Sequence, residues 1–135
     1  MSKFSSRSKA RLDTCDPRIV EIFEEVIKHV DCSVLEGRRG KESQNELYRQ
    51  GKSKLQWPDS KHNVVESQDL SKAVDVVPYP IDWNDWNSFY HFVGFVQAIA
   101  ISKGYRLRSG LDWNQNNDFS DQSFNDAPHF EIVEV

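Results

Sequence analysis

Residues 60–80 read SKHNVVESQDLSKAVDVVPYP, and the second half of this stretch decides how the chain is built. By alternation, Ala73, Asp75 and Val77 share one face of a short strand, and Val74 and Val76 share the other. Pro78 and Pro80 end it. A carboxylate is thereby held on an apolar strand. Burying it alone costs several kcal/mol in order of magnitude, so a cation or hydrogen-bond donors must meet Asp75. His62, in the loop before the strand, is one candidate partner, and a bound metal would satisfy both. Taken alone, His62 reads as a surface loop histidine; Ser60 and the Asp75 strand are what change that reading.

Further ligands stand near the C-terminus, in the run NDAPHFEI at 125–132. Pro128 disfavours helix at Ala127, which places Asp126 on a turn and opens an extended run at His129. In that run His129 and Glu131 face one way, and Phe130 and Ile132 the other. Two histidines and one carboxylate leave a fourth tetrahedral position on zinc open to water, the arrangement of a hydrolytic site.

Around these two stretches the chain alternates helices and strands. Asp16-Pro17 is a helix start, with the acid as N-cap and proline at the first helical position. Ile19, Ile22, Phe23, Val26, Ile27 and Val30 then recur at helical spacing and mark a core helix. A short strand is expected over 33–36, a turn around Gly37 and Gly40, and a second helix over 42–50 closed by Gly51. Residues 52–68 lack periodicity and form the loop that delivers His62. Phe89, Phe92, Val93, Val96, Ile99 and Ala100 trace a long helix over 86–103, with Gly104 behind it. Strands are expected over 105–107 and 129–133, with a polar loop over 112–125 between them. The mixture implies an α+β domain whose strands pair mainly antiparallel.

With 135 residues, 38% hydrophobic and 12% aromatic, the chain fits one domain, 1–135, whose first residues, 1–12, form a polar basic leader. The net charge of −4 argues against nucleic acid as a partner. Lys3, Arg7, Lys9 and Arg11 form the one basic cluster, read as a solvated leader. Cys15 and Cys32 lack metal-ribbon or redox spacing. They read as reduced, partly buried thiols, with a bridge between them and a nucleophilic cysteine as the alternatives. No apolar run is long enough for a membrane span, and MSKFSSRSKARL lacks a hydrophobic signal core, so membrane insertion is not expected.

The Ser60-Lys-His62 triplet, the AVDVVPY strand at 73–79 and the closing DAPHFE at 126–131 together resemble the zinc peptidases of the D-alanyl-D-alanine carboxypeptidase and phage endolysin family. The likeness runs from about Phe4 to Ile132 and is strongest to the small phage L-alanyl-D-glutamate peptidases. It implies a zinc DD-peptidase-like (hedgehog-like) domain whose zinc is held by His62, Asp75 and His129. In many relatives the ligand aspartate follows the histidine by seven residues, which is Asp69 here; Asp75 has the better strand context, and a loop insertion within 63–71 reconciles the two. Asp126 takes the place of the general base, with an Asx-type turn acid as its alternative role. Arg39, in EGRRG at 36–40, matches the arginine that stabilises the tetrahedral intermediate, although Gly40 stands where a small hydroxyl residue is usual. Ser60 and Tyr79 are expected to line the substrate cleft, and Glu131 to orient His129.

Within DWNQNNDFSD at 112–121 the oxygen side chains faintly echo a calcium loop, but a plain polar loop fits the ligand chemistry better. Trp113 and Phe124 are expected to pack that loop or wall the cleft, and Trp83 and Trp86 to anchor the long helix in the core. The function implied is a phage-type endolysin that hydrolyses peptidoglycan stem peptides at the L-alanyl-D-glutamate bond. It would be a monomer, made in the host cytoplasm and reaching the wall only after the membrane is opened. The rivals are a D-alanyl-D-alanine carboxypeptidase or dipeptidase with the same site, and a non-catalytic wall-binding module of this fold.

Overall fold

The computed structural model describes residues 2–64, 69–118, 120 and 125–134. Four helices surround one four-stranded sheet: α1 (Ser6–Leu12), α2 (Pro17–Val26), β1 (Cys32–Glu36), α3 (Lys41–Arg49), β2 (Ala73–Pro78), α4 (Trp86–Ser102), β3 (Leu107–Ser109) and β4 (His129–Ile132). The strand order is β1-β2-β4-β3 and every neighbouring pair is antiparallel, as an α+β domain requires.

The core lies on the sheet face covered by α2 and α4. Ile19, Ile22, Phe23 and Val26 of α2 are buried at the spacing that keeps one helix face inward. Asp16 caps the helix by accepting the Arg18 amide proton at 2.9 Å. On α4 the inward face is Phe89, Phe92, Val93, Val96 and Ala100. Phe130 of β4 meets Phe23 and Phe92 edge to face, so both helices lock onto the strand that carries His129.

Three expectations change. The third strand begins two residues later than Tyr105, because Leu107 is the residue that turns inward opposite Ile132. The basic segment over 1–12 is not a solvated tail from Ser6 onward: it forms α1, with Leu12 fully buried. This helix covers the outer edge of β1, where the Ser8 hydroxyl accepts the Val34 amide proton at 3.0 Å and Arg11 donates to the Val34 carbonyl at 3.1 Å. An otherwise open sheet edge is thereby closed. Trp83 and Trp86 are not core anchors; they are 53% and 43% exposed, and stack on the end of α4 against Phe89 and Tyr90. Cys15 and Cys32 are buried free thiols, and burial pushes the pKa of both up to about 12, the setting of structural rather than nucleophilic cysteines.

Candidate metal centre

Antiparallel register brings two of the three expected ligands together: Asp75 of β2 sits directly opposite His129 of β4. His62 arrives from the loop before β2. That loop is tied to the turn after β1 by the Arg39 amide, which donates to the His62 carbonyl at 2.8 Å. Among the described residues these three are the only cluster of three metal-ligating side chains. Asp69, the competitor on spacing, is exposed outside it and its carbonyl accepts from Arg38.

The ring nitrogens can be assigned from their partners. His62 Nδ1 lies 2.7 Å from the Gly37 carbonyl, which only accepts, so Nδ1 carries the proton and Nε2 presents a lone pair. His129 Nε2 lies 2.8 Å from the Glu131 carboxylate, so it too donates, and Nδ1 presents the lone pair. The two lone pairs and Asp75 Oδ1 then face one another at 3.1, 3.3 and 3.5 Å. Three acceptors with no proton between them repel unless a cation sits in their midst. A tetrahedral zinc with bonds of about 2.0–2.1 Å needs ligand atoms about 3.3–3.4 Å apart, and the cluster has that size. Without an ion a proton must serve instead. Burial disfavours the His129 imidazolium, yet hydrogen bonds with Asp75 and Glu131 outweigh it and push the pKa up to about 9. Burial likewise works against the Asp75 carboxylate, and the charge of His62 with the hydrogen bonds from both imidazoles holds it well below the usual range.

Around the cluster lies a cleft of about 670 Å³, lined among others by Arg39, Ser60, Trp113, Asp126 and Glu131. Asp126 Oδ2 is 3.9 Å from His129 Nδ1. Its segment is held by a close backbone approach, the Asp126 amide donating to the Gly110 carbonyl at 2.9 Å. Burial, and then the charge of Asp75, raise the Asp126 pKa above the ordinary value. Arg39 is buried and fixed on three sides. Its Nε and Nη2 bridge Glu36 at 2.8 and 2.9 Å, Nη1 donates to Gln44 at 2.8 Å, and Nη2 lies 3.6 Å from Asp75. Ser60 is buried on the cleft wall, its hydroxyl accepting the His62 amide proton at 3.2 Å.

Tyr79 is not brought to the cleft. It follows the far end of β2, 59% exposed, with its amide donating to the Asp31 carbonyl. The loop over 112–125 is described only in part, and Phe124 lies outside the described residues. In the described part, Trp113 packs against His129 with ring centroids 5.0 Å apart, and Arg108 lies over the Trp113 ring. Asp112 is buried and its two oxygens accept the Asn116 and Asn117 amide protons.

Sequence reasoning missed several supporting groups. Arg108 pairs with Glu131 at 2.7 Å and so completes a line from guanidinium to carboxylate to imidazole. Gln44 is fully buried: its Oε1 accepts from Arg39 and Asn63, and its Nε2 donates to Ser53 Oγ and the Leu55 carbonyl. Gly37 is pressed against α1, since a Cβ there would stand 2.3 Å from Thr14 Oγ1 and 2.4 Å from the Arg11 carbonyl. The spacing of glycine, arginine and glutamine in 37–44 was the available signal, but nothing in it distinguishes a buried amide from a surface one.

The family described as phage L-alanyl-D-glutamate peptidase matches residues 1–133. The chain belongs to this family. Among curated relatives, the L-alanyl-D-glutamate peptidase of Escherichia phage T5 is 26% identical, over 97% of this chain and 98% of the relative. Among solved structures, the Serratia marcescens L-Ala D-Glu endopeptidase ChiX superposes with a TM-score of 0.74 at 25% identity, covering 98% of this chain and 91% of that one. Membership in this peptidase family and the α+β fold therefore stand on both sequence and structure.

Proposed function

We infer that this protein is a peptidoglycan hydrolase that cuts the L-alanyl-D-glutamate bond of the stem peptide, with zinc held by His62, Asp75 and His129. The observation that carries the metal is the triangle of acceptor atoms with 3.1–3.5 Å edges inside the cleft. Zinc bound there would polarise the scissile carbonyl and acidify water. Asp126, with its raised pKa, takes the proton of the attacking water and hands it to the leaving amine. Arg39, immobilised by Glu36 and Gln44, presents its guanidinium to the developing oxyanion without having to reorganise. Glu131 holds the His129 ring so that Nδ1 would face a bound ion. All these groups come from one chain, so a monomer suffices.

Among the described residues no helix is long and apolar enough to cross a membrane. As an endolysin the protein would meet the wall once another factor has opened the membrane. The deciding experiment digests purified cell wall with zinc-loaded protein and identifies the new ends by mass spectrometry. New L-alanine carboxyl ends are expected, and release of D-alanine instead would overturn the assignment. Asp126→Asn should keep the parent's zinc content and lose roughly 10²–10⁴-fold in rate. A variant that solubilised wall as fast as the parent would remove Asp126 from the chemistry.

A further inference from the structure

The charges lining the cleft do not balance. Glu36 is neutralised by Arg39 and Glu131 by Arg108. Asp75 and Asp126 face the place where a divalent ion would offset both. What remains is the wall formed by residues 52–61: Lys54 has a partner of its own, and Lys52 and Lys61 line the cleft against a single acid, Asp59. Among the described residues neither Lys52 nor Lys61 is engaged in an ion pair, in a protein whose net charge is −4.

This wall is held in place. The buried Gln44 amide that fixes Arg39 also donates to Ser53 Oγ at 3.0 Å and to the Leu55 carbonyl at 2.5 Å, between and beside the lysines. The Lys52 amide donates to the Leu47 carbonyl at 2.9 Å, closing the wall onto α3. At its other end Lys61 immediately precedes His62, and its carbonyl accepts the Lys72 amide proton. A cationic wall tied to α3 and to the Gln44 amide thus borders the candidate metal centre.

We propose that this lysine wall is a carboxylate subsite, which selects substrates bearing a free anion on the residue that follows the scissile bond. The proposal rests on the L-alanyl-D-glutamate reading and sharpens it. When D-glutamate continues the stem through its side-chain carboxyl, its main-chain carboxylate is left free on the carbon bonded to the leaving nitrogen. An anion so close to the cut bond is carried into the cleft with it, and the wall offers the only uncompensated positive charge there among the described residues. Amidation of that carboxyl removes the charge and leaves the scissile bond unchanged.

The test compares two synthetic stem peptides, identical except that the D-glutamyl main-chain carboxyl is free in one and amidated in the other. The zinc-loaded parent should prefer the free acid by about tenfold in kcat/KM at low salt, the size that two exposed ion pairs supply. The preference should appear mainly in KM and should shrink as added salt screens the wall. The double variant Lys52→Gln, Lys61→Gln should lose the preference to within about twofold, with its zinc content and melting temperature unchanged. Equal cleavage of both peptides by the parent, or a double variant that keeps the full preference, overturns the subsite and leaves the peptidase reading intact. Cleavage of neither peptide by the parent overturns both.

Discussion

The two sides of the candidate metal centre are built by different means. On one side the sheet does the positioning: Asp75 and His129 are cross-strand partners, and Arg108 and Glu131 are partners on the next pair of strands. Backbone register places these side chains, and slipping by one residue would turn them to the opposite face. On the other side, His62 and Arg39 come from turns and loops with only an isolated bridge between Arg39 and Asn63 to align them. There the positioning passes to buried polar groups: the Gly37 carbonyl for His62, and Glu36 and Gln44 for Arg39. The lesson is that the sheet side should tolerate loss of a supporting side chain as a graded change in metal affinity. The loop side should answer with geometry and stability.

The largest effect should come from the loop side. Arg39→Lys cannot reproduce the fork onto Glu36 together with the bond to Gln44, so kcat should fall by about 10²–10³ with zinc content retained. Steady-state kinetics beside metal analysis would decide it, and a kcat within threefold of the parent would mean the guanidinium is not needed at the oxyanion. On the sheet side, Glu131→Gln keeps the register and loses only the charge behind His129. Zinc affinity measured by chelator competition should drop by about 10–100-fold. If it does not move, the difference between the two walls is unsupported.

A smaller change is expected at Gln44. Gln44→Met fills the same space and leaves the Leu55 carbonyl and the Arg39 and Asn63 donors without their partner, a loss of about 2 kcal/mol in urea unfolding. Gln44→Glu returns an acceptor to Arg39, so it should recover kcat more fully than stability. Last, Asp16 lies outside both walls and serves as the control. Arg18, followed by Lys72, holds its carboxyl below the ordinary range against the effect of burial. Its contribution is therefore complete above about pH 4 and fades as the pH falls further. Asp16→Ala should cost about 1 kcal/mol at pH 7, converge with the parent in acid, and leave zinc binding untouched.

The unequal construction also explains what could be seen in the sequence. Asp75 stands out because a carboxylate interrupts a run of valines, and His129 and Glu131 because alternation sets them opposite Phe130. Strand periodicity is local, so the sheet side is legible from short windows. The amphipathic helices α2 and α4 are legible for the same reason. Gln44 is not: α3 reads KESQNELYR, a polar helix, and only the packing of the 52–63 loop over it buries that one amide. Tyr79 looked like a cleft residue because it follows the ligand strand, yet β2 carries it away from the centre. The basic N-terminal segment looked solvated because its partners are the backbone groups of Val34, which no side-chain pattern announces.

The crowded meeting of α1 with Gly37 limits how far the protein can be cut down. The same glycine whose carbonyl steadies His62 is wedged beneath the Arg11 carbonyl and the Thr14 hydroxyl. The amino-terminal helix is thus part of the scaffolding of the His62, Asp75 and His129 cluster, and shortening the chain there would loosen whatever ion the cluster holds, well before it registered as a missing tail.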